Sequence, residues 1–413
     1  MDAERFIARK MGSGGESLGK LGRISNNIGW ISVAVSIAVM IIAVAVVGGF
    51  KREISQKATG FMGSVLLVAP GQAPTNQDYP FTDSLSYRPV LDSLKWVRSV
   101  SGVAYRSGLV KTEDNIGGVI FKGVDSLYDF SFFEDAMVEG SIPDFRGRIG
   151  NEVLVSKRLS DEMGFKVGDD MTAYFISDEV RARKFTVCGL FDAQLDDIDK
   201  TFVIVDRRHV QRLNGWGGRQ VSSIEIHTDY GMDLDRARSR IEEIEFSQAD
   251  ESDPGLFVVS VKKIYAHLFD WLALLDLNVL MILALMIAVA GFNMISAVLI
   301  ILFEKISTIG LLKSLGMSNR EVGKVFRIRT ASIVGKGLQW GNVLALGICL
   351  VQKYTKVMKL DPENYFVKFV PIELDWLEIL LLDVISAAVI MLILRLTTIF
   401  ISRVSPDRTM RVE

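Results

Sequence analysis

The chain has 413 residues, of which 49% are hydrophobic and 23% charged, with a formal net charge of −2. Its mean hydropathy of +0.29 is too high for a wholly water-soluble chain, so long apolar runs must coexist with a sizeable soluble part. No basic surplus exists to neutralise phosphates, which argues against nucleic acid as a partner.

Residues 1–26 are mixed and glycine-rich and carry Arg5, Arg9, Lys10, Lys20 and Arg23. The run that follows, Ile28–Phe50, holds 23 uncharged residues. It is longer than a signal-peptide core and has no clear cleavage site. A first transmembrane helix is therefore expected over 27–50, with the basic flank keeping the N-terminal segment in the cytoplasm. Residues 51–270 read as ordinary soluble sequence. β-type runs recur at Val65–Val68, Gly118–Phe121, Glu152–Val155, Met171–Phe175, Lys184–Cys188 and Phe202–Val205. Helical patterns fall at Val90–Val97, Lys157–Met163 and Leu234–Ile244. This predicts an α+β domain on the far side of the membrane from the N-terminus. The acidic run Asp196-Asp197-Ile198-Asp199 is expected to be a solvated turn, because its spacing does not fit a calcium loop.

Lys262–Phe303 reads as one continuous helix of 42 residues interrupted only by Gly291. At 1.5 Å per residue it would be about 63 Å long, whereas the hydrocarbon core needs about 30 Å. The second transmembrane helix is placed at 271–303, with the surplus standing outside as a stalk from about 262. Residues 304–326 form a cytoplasmic segment. In it Ile306, Ile309, Leu312 and Leu315 recur at helical spacing, Glu304, Lys305, Lys313 and Arg320 supply polar contacts, and Gly316 suits a C-cap. On pattern alone this helix could lie on lipid or dock on a partner protein.

The third apolar segment, Thr330–Gln352, contains Lys336 and places a helix at 327–352. A short outer loop spans 353–373. Ile379–Ser402 is the fourth segment, carries Asp383 and Arg395, and places a helix at 374–402 before the cytoplasmic tail 403–413. Ionisable groups at membrane depth raise functional hypotheses. Lys336 and Arg395, however, can snorkel to the cytoplasmic interface. Asp383 is expected near the outer interface, at a different depth from Lys336 and not paired with it. Cys188 and Cys349 fall in a soluble and an apolar stretch, which argues against a disulfide between them. His209, His227 and His267 lack metal-ligand spacing. No phosphate-binding loop and no Ser/His/Asp or Cys/His arrangement is present, so no catalytic, cofactor or metal residues are expected. The expected architecture is an α-helical membrane protein with four transmembrane helices and a large α+β domain inserted between the first two.

Several stretches carry a family resemblance. FEKISTIGLLKSLGMSNREVGKVF, at Phe303–Phe326, resembles the coupling segment of four-span ABC permeases, departing from it at Phe303, Ile306, Leu311 and Met317. These permeases include the lipoprotein-releasing LolC/LolE proteins, MacB and FtsX. Arg23–Ile54, with its Gly48-Gly49-Phe50, resembles the first span of the lipoprotein-releasing branch. Gly150–Phe175 resembles its periplasmic pattern, Val370–Ala387 the start of its last span, and Ser405–Glu413 its tail.

The resemblance implies a transmembrane subunit of an inner-membrane ABC transporter, with both termini cytoplasmic and a MacB-like domain in the periplasm. Its expected partners are a second permease subunit, identical or homologous, an ABC ATPase dimer, a lipoprotein substrate, a periplasmic lipoprotein carrier and membrane lipid. ATP and Mg would be bound by the ATPase and not by this chain. Glu304, Lys305, Ile309, Leu312, Lys313, Leu315 and Gly316 would couple to the ATPase. Val44, Val47, Leu277, Met281 and Leu285, chosen by depth, would contact the lipoprotein's acyl chains. In LolC proteins a longer β-hairpin hook recruits the carrier. Here only Ile176–Arg183 is expected to join the neighbouring strands, which points to a LolE-like role or another carrier arrangement. MacB-like efflux and FtsX-like regulation of a cell-wall hydrolase are the competing functions. The length of 51–270 speaks against the smaller outer domain of FtsX.

Overall fold

The computed structural model describes residues 20–112, 115–176, 179–304, 310, 314 and 316–402. They fall into two compact units. One is helical and comprises the chain up to Phe50, Leu272–Met358 and the chain from Val370. The other is α+β and comprises Lys51–Trp271 with Lys359–Phe369.

In chain order the elements are α1 (Lys20–Met62), β1 (Val65–Val68), β2 (Phe81–Thr82), α2 (Arg88–Ser93), β3 (Val97–Lys111), β4 (Ile116–Val124), α3 (Ser131–Ala136), β5 (Met137–Gly140) and β6 (Glu152–Ser156). Then come α4 (Lys157–Met163), β7 (Asp170–Ile176), β8 (Val180–Phe191), α5 (Asp196–Asp199), β9 (Phe202–Asp206), α6 (Arg207–Asn214), β10 (Gln220–Val221), β11 (Ser223–Thr228) and α7 (Leu234–Gln248). The chain continues with β12 (Phe257–Ser260), α8 (Val261–Ile264), α9 (Ala266–Glu304), α10 (Asn319–Thr355), α11 (Pro362–Tyr365) and α12 (Trp376–Ser402).

In the α+β unit, β3, β4, β9, β6, β8 and β7 pair in succession, and β7 pairs back onto β3. The ring therefore closes, which leaves these six strands fewer open edges. Its interior holds Phe121, Phe175 and Phe185 with Met171, Val187 and Val203. The alternation of buried and less buried residues along β7 is what a strand with one face on a core requires. β11, β1 and β12 extend the sheet from the N-terminal half of β3, Val97–Val103, and α2 and α7 cover that extension through Leu91, Ala237, Ile241 and Ile244. Local signals set the helix ends. Ser156 caps α4, which stops at Gly164 with φ +80, and Asp233 caps α7 through the backbone amides of Asp235 and Arg236.

Several sequence expectations shift. The pattern at Val90–Val97 gives only the helix Arg88–Ser93, and Val97 already opens the longest strand. Ile176–Arg183 is not a plain connection. β7 and β8 stay paired out to Ile176 and Val180, so most of that segment is strand, and residues 177–178 lie outside the described set. The 42-residue helix expected from Lys262 is broken at Tyr265, where φ −100 and ψ 44 leave the helical region; the continuous part is Ala266–Glu304, 39 residues. α1 is longer than expected, at 43 residues. At 1.5 Å per residue α1 and α9 are about 65 and 58 Å long.

The acidic run is also different. Asp196–Asp199 forms a single helical turn, and Asp199 is buried. Its carboxylate accepts from the backbone amides of Ala193 (3.0 Å) and Leu195 (3.2 Å). Burial raises its pKa to about 6 against the pull of those amides. A carboxyl with a raised folded pKa adds stability below its unfolded value, and that contribution is lost as pH rises through the folded one. Asp199→Asn should therefore abolish a gain in stability that the parent chain shows as pH falls from about 6 to about 4. Urea unfolding midpoints of both chains across that window test this.

Among the described residues four helices are long and apolar enough to cross a membrane, within α1, α9, α10 and α12. They share a core of Val33, Ile37, Met40 and Ile41 from α1, Ala290, Met294 and Val298 from α9, Ile333 from α10, and Ile379 and Ile390 from α12. α1 is the most covered of the four and α9 the least.

Candidate functional site

Small residues set the packing of the helical unit. α10 carries Gly337-Leu338-Gln339-Trp340-Gly341, two glycines on one face of an apolar helix. A Cβ on Gly337 would sit 2.6 Å from Val33 Cβ, and one on Gly341 would sit 2.8 Å from the backbone oxygen of Ala34. Gly49, in the family-like Gly48-Gly49-Phe50, is tighter still: a Cβ there would lie 2.4 Å from the backbone oxygen of Pro371. Its neighbour Ala45 accepts the backbone N–H of Glu373 at 3.0 Å. The segment leading into α12 is thus stitched to α1, and glycine is the residue that permits the approach.

Polar side chains also pair among these helices. Asn293 of α9 donates to Ser32 of α1 at 2.6 Å. Asn342 of α10 donates to Asp383 of α12 at 2.8 Å. Asp383, expected near the outer interface and not paired with Lys336, is one half of an interhelical hydrogen bond. Such bonds relieve the cost of a polar group away from water.

The residues proposed to contact acyl chains are not equivalent. Leu277, Met281 and Leu285 are about half exposed or more and recur every four residues along one face of α9. Val44 packs against the buried core of the helical unit, and Val47 is partly buried. The structure thus leaves the α9 stripe open and puts Val44 into helix packing.

Of the coupling segment, Glu304 is the last residue of α9, and Gly316 has φ +95, the left-handed geometry that suits a helix-ending glycine. Lys305, Ile309, Leu312, Lys313 and Leu315 lie outside the described residues. Beyond Gly316, α10 opens with a capping box. Ser318 accepts from the Glu321 backbone N–H at 3.3 Å, and Glu321 accepts from the Ser318 backbone N–H at 2.7 Å.

At the other end of α1, a buried ionic cluster was invisible in the sequence pattern. Lys122 of β4 and Glu225 of β11 are fully buried and 2.8 Å apart. The Lys122 ammonium also donates to Tyr128 Oη (2.9 Å) and to the backbone oxygen of Phe61, in the last turn of α1. It lies 4.5 Å from the centre of the Phe61 ring. Tyr105 donates to the second Glu225 oxygen at 2.8 Å. Burial alone would raise the Glu225 pKa, but Lys122 and His227 outweigh it and hold the carboxyl below its usual range. The cluster caps the carbonyl end of α1 with a cation, where the helix dipole is negative. Only Lys122, the one charge in IGGVIFKGV, and Glu225 in SIEIHT could have pointed to it.

Among the described residues no group of three or more His, Cys, Asp or Glu could hold a metal ion. Both cysteines are free thiols, and burial pushes Cys188 up to about 12.

Comparison with known proteins agrees with this layout. A MacB-like periplasmic core domain matches residues 31–244, and an FtsX-like permease C-terminal region matches residues 280–406. The lipoprotein-releasing system transmembrane protein LolC of Neisseria meningitidis serogroup B is 23% identical, over 86% of this chain and 86% of its own length. LolC of Xylella fastidiosa (strain 9a5c) is 21% identical, over 83% of this chain and 80% of its own. LolE of Haemophilus influenzae is 22% identical, over 87% of each. The periplasmic region of MacB from Actinobacillus actinomycetemcomitans aligns with 51% of this chain and 94% of its own, at 13% identity and a TM-score of 0.35. With a MacB-like core over half of its length and an FtsX-like permease region after it, the chain belongs to the MacB/FtsX superfamily of ABC permeases and is of the LolC/LolE type.

Proposed function

We propose that this chain is the transmembrane subunit of an ABC transporter that extracts lipoproteins from the inner membrane and releases them to a periplasmic carrier. A separate ATPase dimer supplies the ATP hydrolysis, and a second permease subunit completes the pathway. The observation that carries this reading is the pair of helices α1 and α9, at 43 and 39 residues each far longer than a bilayer needs. Each continues from a membrane-length apolar run into residues of the α+β unit. In this reading a push at Glu304, the last residue of α9, would travel along the helix toward Ala266 without an intervening loop. The relatives' names supply the cargo class.

In this reading, residues 304–316 receive the motion of the ATPase. The exposed stripe Leu277, Met281 and Leu285 offers an apolar track for acyl chains, each buried CH₂ contributing about 0.8 kcal/mol. The α+β unit lies in the periplasm, and both termini are cytoplasmic.

Depletion followed by membrane fractionation tests the function. Outer-membrane lipoproteins should accumulate in the inner membrane within a few generations. Normal lipoprotein sorting combined with loss of small-molecule export would instead favour MacB-like efflux, and normal sorting with a cell-separation defect would favour FtsX-like regulation. Charge reversal in Glu304→Lys should lower ATPase turnover of the purified complex about tenfold or prevent its assembly. Wild-type turnover would remove the coupling role given to that segment.

A further inference from the structure

Residues 359–369 stand between α10 and α12 in the chain, yet they group with the α+β unit. A bridge between Lys359 and Phe369 and the bond from Leu360 N–H to the Lys368 carbonyl (2.9 Å) close them into a tight loop. α11 lies within the loop, and the Phe366 N–H donates to Pro362 O at 2.9 Å.

The loop is fastened by side chains distant in sequence. Lys57 of α1 donates to the backbone oxygen of Phe366 and to Gln194 Oε1, each at 2.8 Å. The Lys57 side chain is only 12% exposed, and Glu53 lies 4.0 Å away. Lys368 pairs with Asp192 at 2.7 Å. The Phe366 ring meets Trp271 edge to face, 5.9 Å between centroids.

Two features mark this contact as a fastening and not as ordinary loop packing. Both residues that accept from Lys57 have left-handed backbones: φ is +58 at Gln194 and +59 at Phe366. Outside glycine such conformations are sparsely populated and persist only when the surroundings impose them. One ammonium, with three donors, meets both strained segments at once. Beyond the loop, the same connection is held to the same helix by the close approach of Pro371 to Gly49 and the bond from Glu373 to Ala45.

We propose that the connection between α10 and α12 is a strap fastened to the first helix, and that Lys57 is its clasp. Opening the clasp frees residues 359–369 without unfolding the sheet. This goes beyond the transport reading and does not depend on any cargo.

Amide hydrogen exchange on the full chain in lipid nanodiscs tests it. Lys57→Met should speed exchange at Leu360 and Phe366 at least tenfold, while strand amides such as Val155 and Val203 keep their rates. Gln194→Ala removes one of the two acceptors and should speed the same loop amides to a smaller extent. Wild-type rates at Leu360 and Phe366 in both variants would overturn the proposal. So would acceleration that only matches that of the strand amides, since the loop would then open by general unfolding.

Discussion

Replacing Lys122 by methionine should destabilise the α+β unit by about 3–5 kcal/mol, because it leaves the Glu225 carboxylate buried without its cation. For a unit of this size that corresponds to a drop in thermal midpoint of roughly 10 °C. The cost has three parts. The carboxylate loses its ammonium partner, Tyr128 loses a donor, and the Phe61 carbonyl at the end of α1 loses its cap. The double variant Lys122→Met with Glu225→Leu should recover most of the loss, since both charges are then absent. Thermal unfolding of the full chain in detergent, followed by near-ultraviolet dichroism, measures both. A double variant whose loss equals the sum of the losses of Lys122→Met and Glu225→Leu measured singly would show that the residues act separately. The stakes are high because the cluster joins β4, β11 and the end of α1, so its loss loosens the helix as well as the sheet.

The second large effect is expected in the helical unit. Gly341→Leu should disrupt the packing of α10 on α1, because even a Cβ would meet the Ala34 backbone oxygen at 2.8 Å and Ile37 Cβ at 2.9 Å. Backbone cannot yield as a flexible side chain can. Overpacking of this kind costs about 1–3 kcal/mol, more where helices must separate. Gly335→Leu is the matched control, two residues from Gly337 on the same helix with nothing within 4 Å of its Cβ. The control should leave detergent-extracted protein monodisperse on size exclusion, and Gly341→Leu should shift it into aggregates. Equal behaviour of the two variants would mean that the glycine face does not set the helix contact.

Much of this architecture is legible in the chain itself. Runs without charge, longer than a bilayer is thick, must be helices of that length, because lipid offers no hydrogen-bond partners to an irregular backbone. The same logic makes the segments from Glu152 and Phe202 recognisable as strands, since β-branched and aromatic residues between turns have few alternatives. Boundaries are less legible. Residues 94–96 continue an apolar pattern past the true end of α2, while pairing of β3 with β11 and β4 draws Val97 onward into a strand. Tyr265 breaks the expected helix from Lys262 at a point where nothing in composition forbids continuation.

What the sequence by itself determined is the set of membrane-length helices and the α+β character of the region between the first two. These follow from local quantities: length, hydropathy and spacing. The tertiary structure alone decided which charges are partners. Lys122 and Glu225 are 103 residues apart, and Lys57 reaches Phe366 across 309. No periodicity encodes such pairs, because a buried ion is tolerated only where folding delivers a counter-charge or an acceptor to it. The same holds for Gly337 and Gly341. Their spacing is visible in the sequence, but only the close approach of α1 shows what it is for.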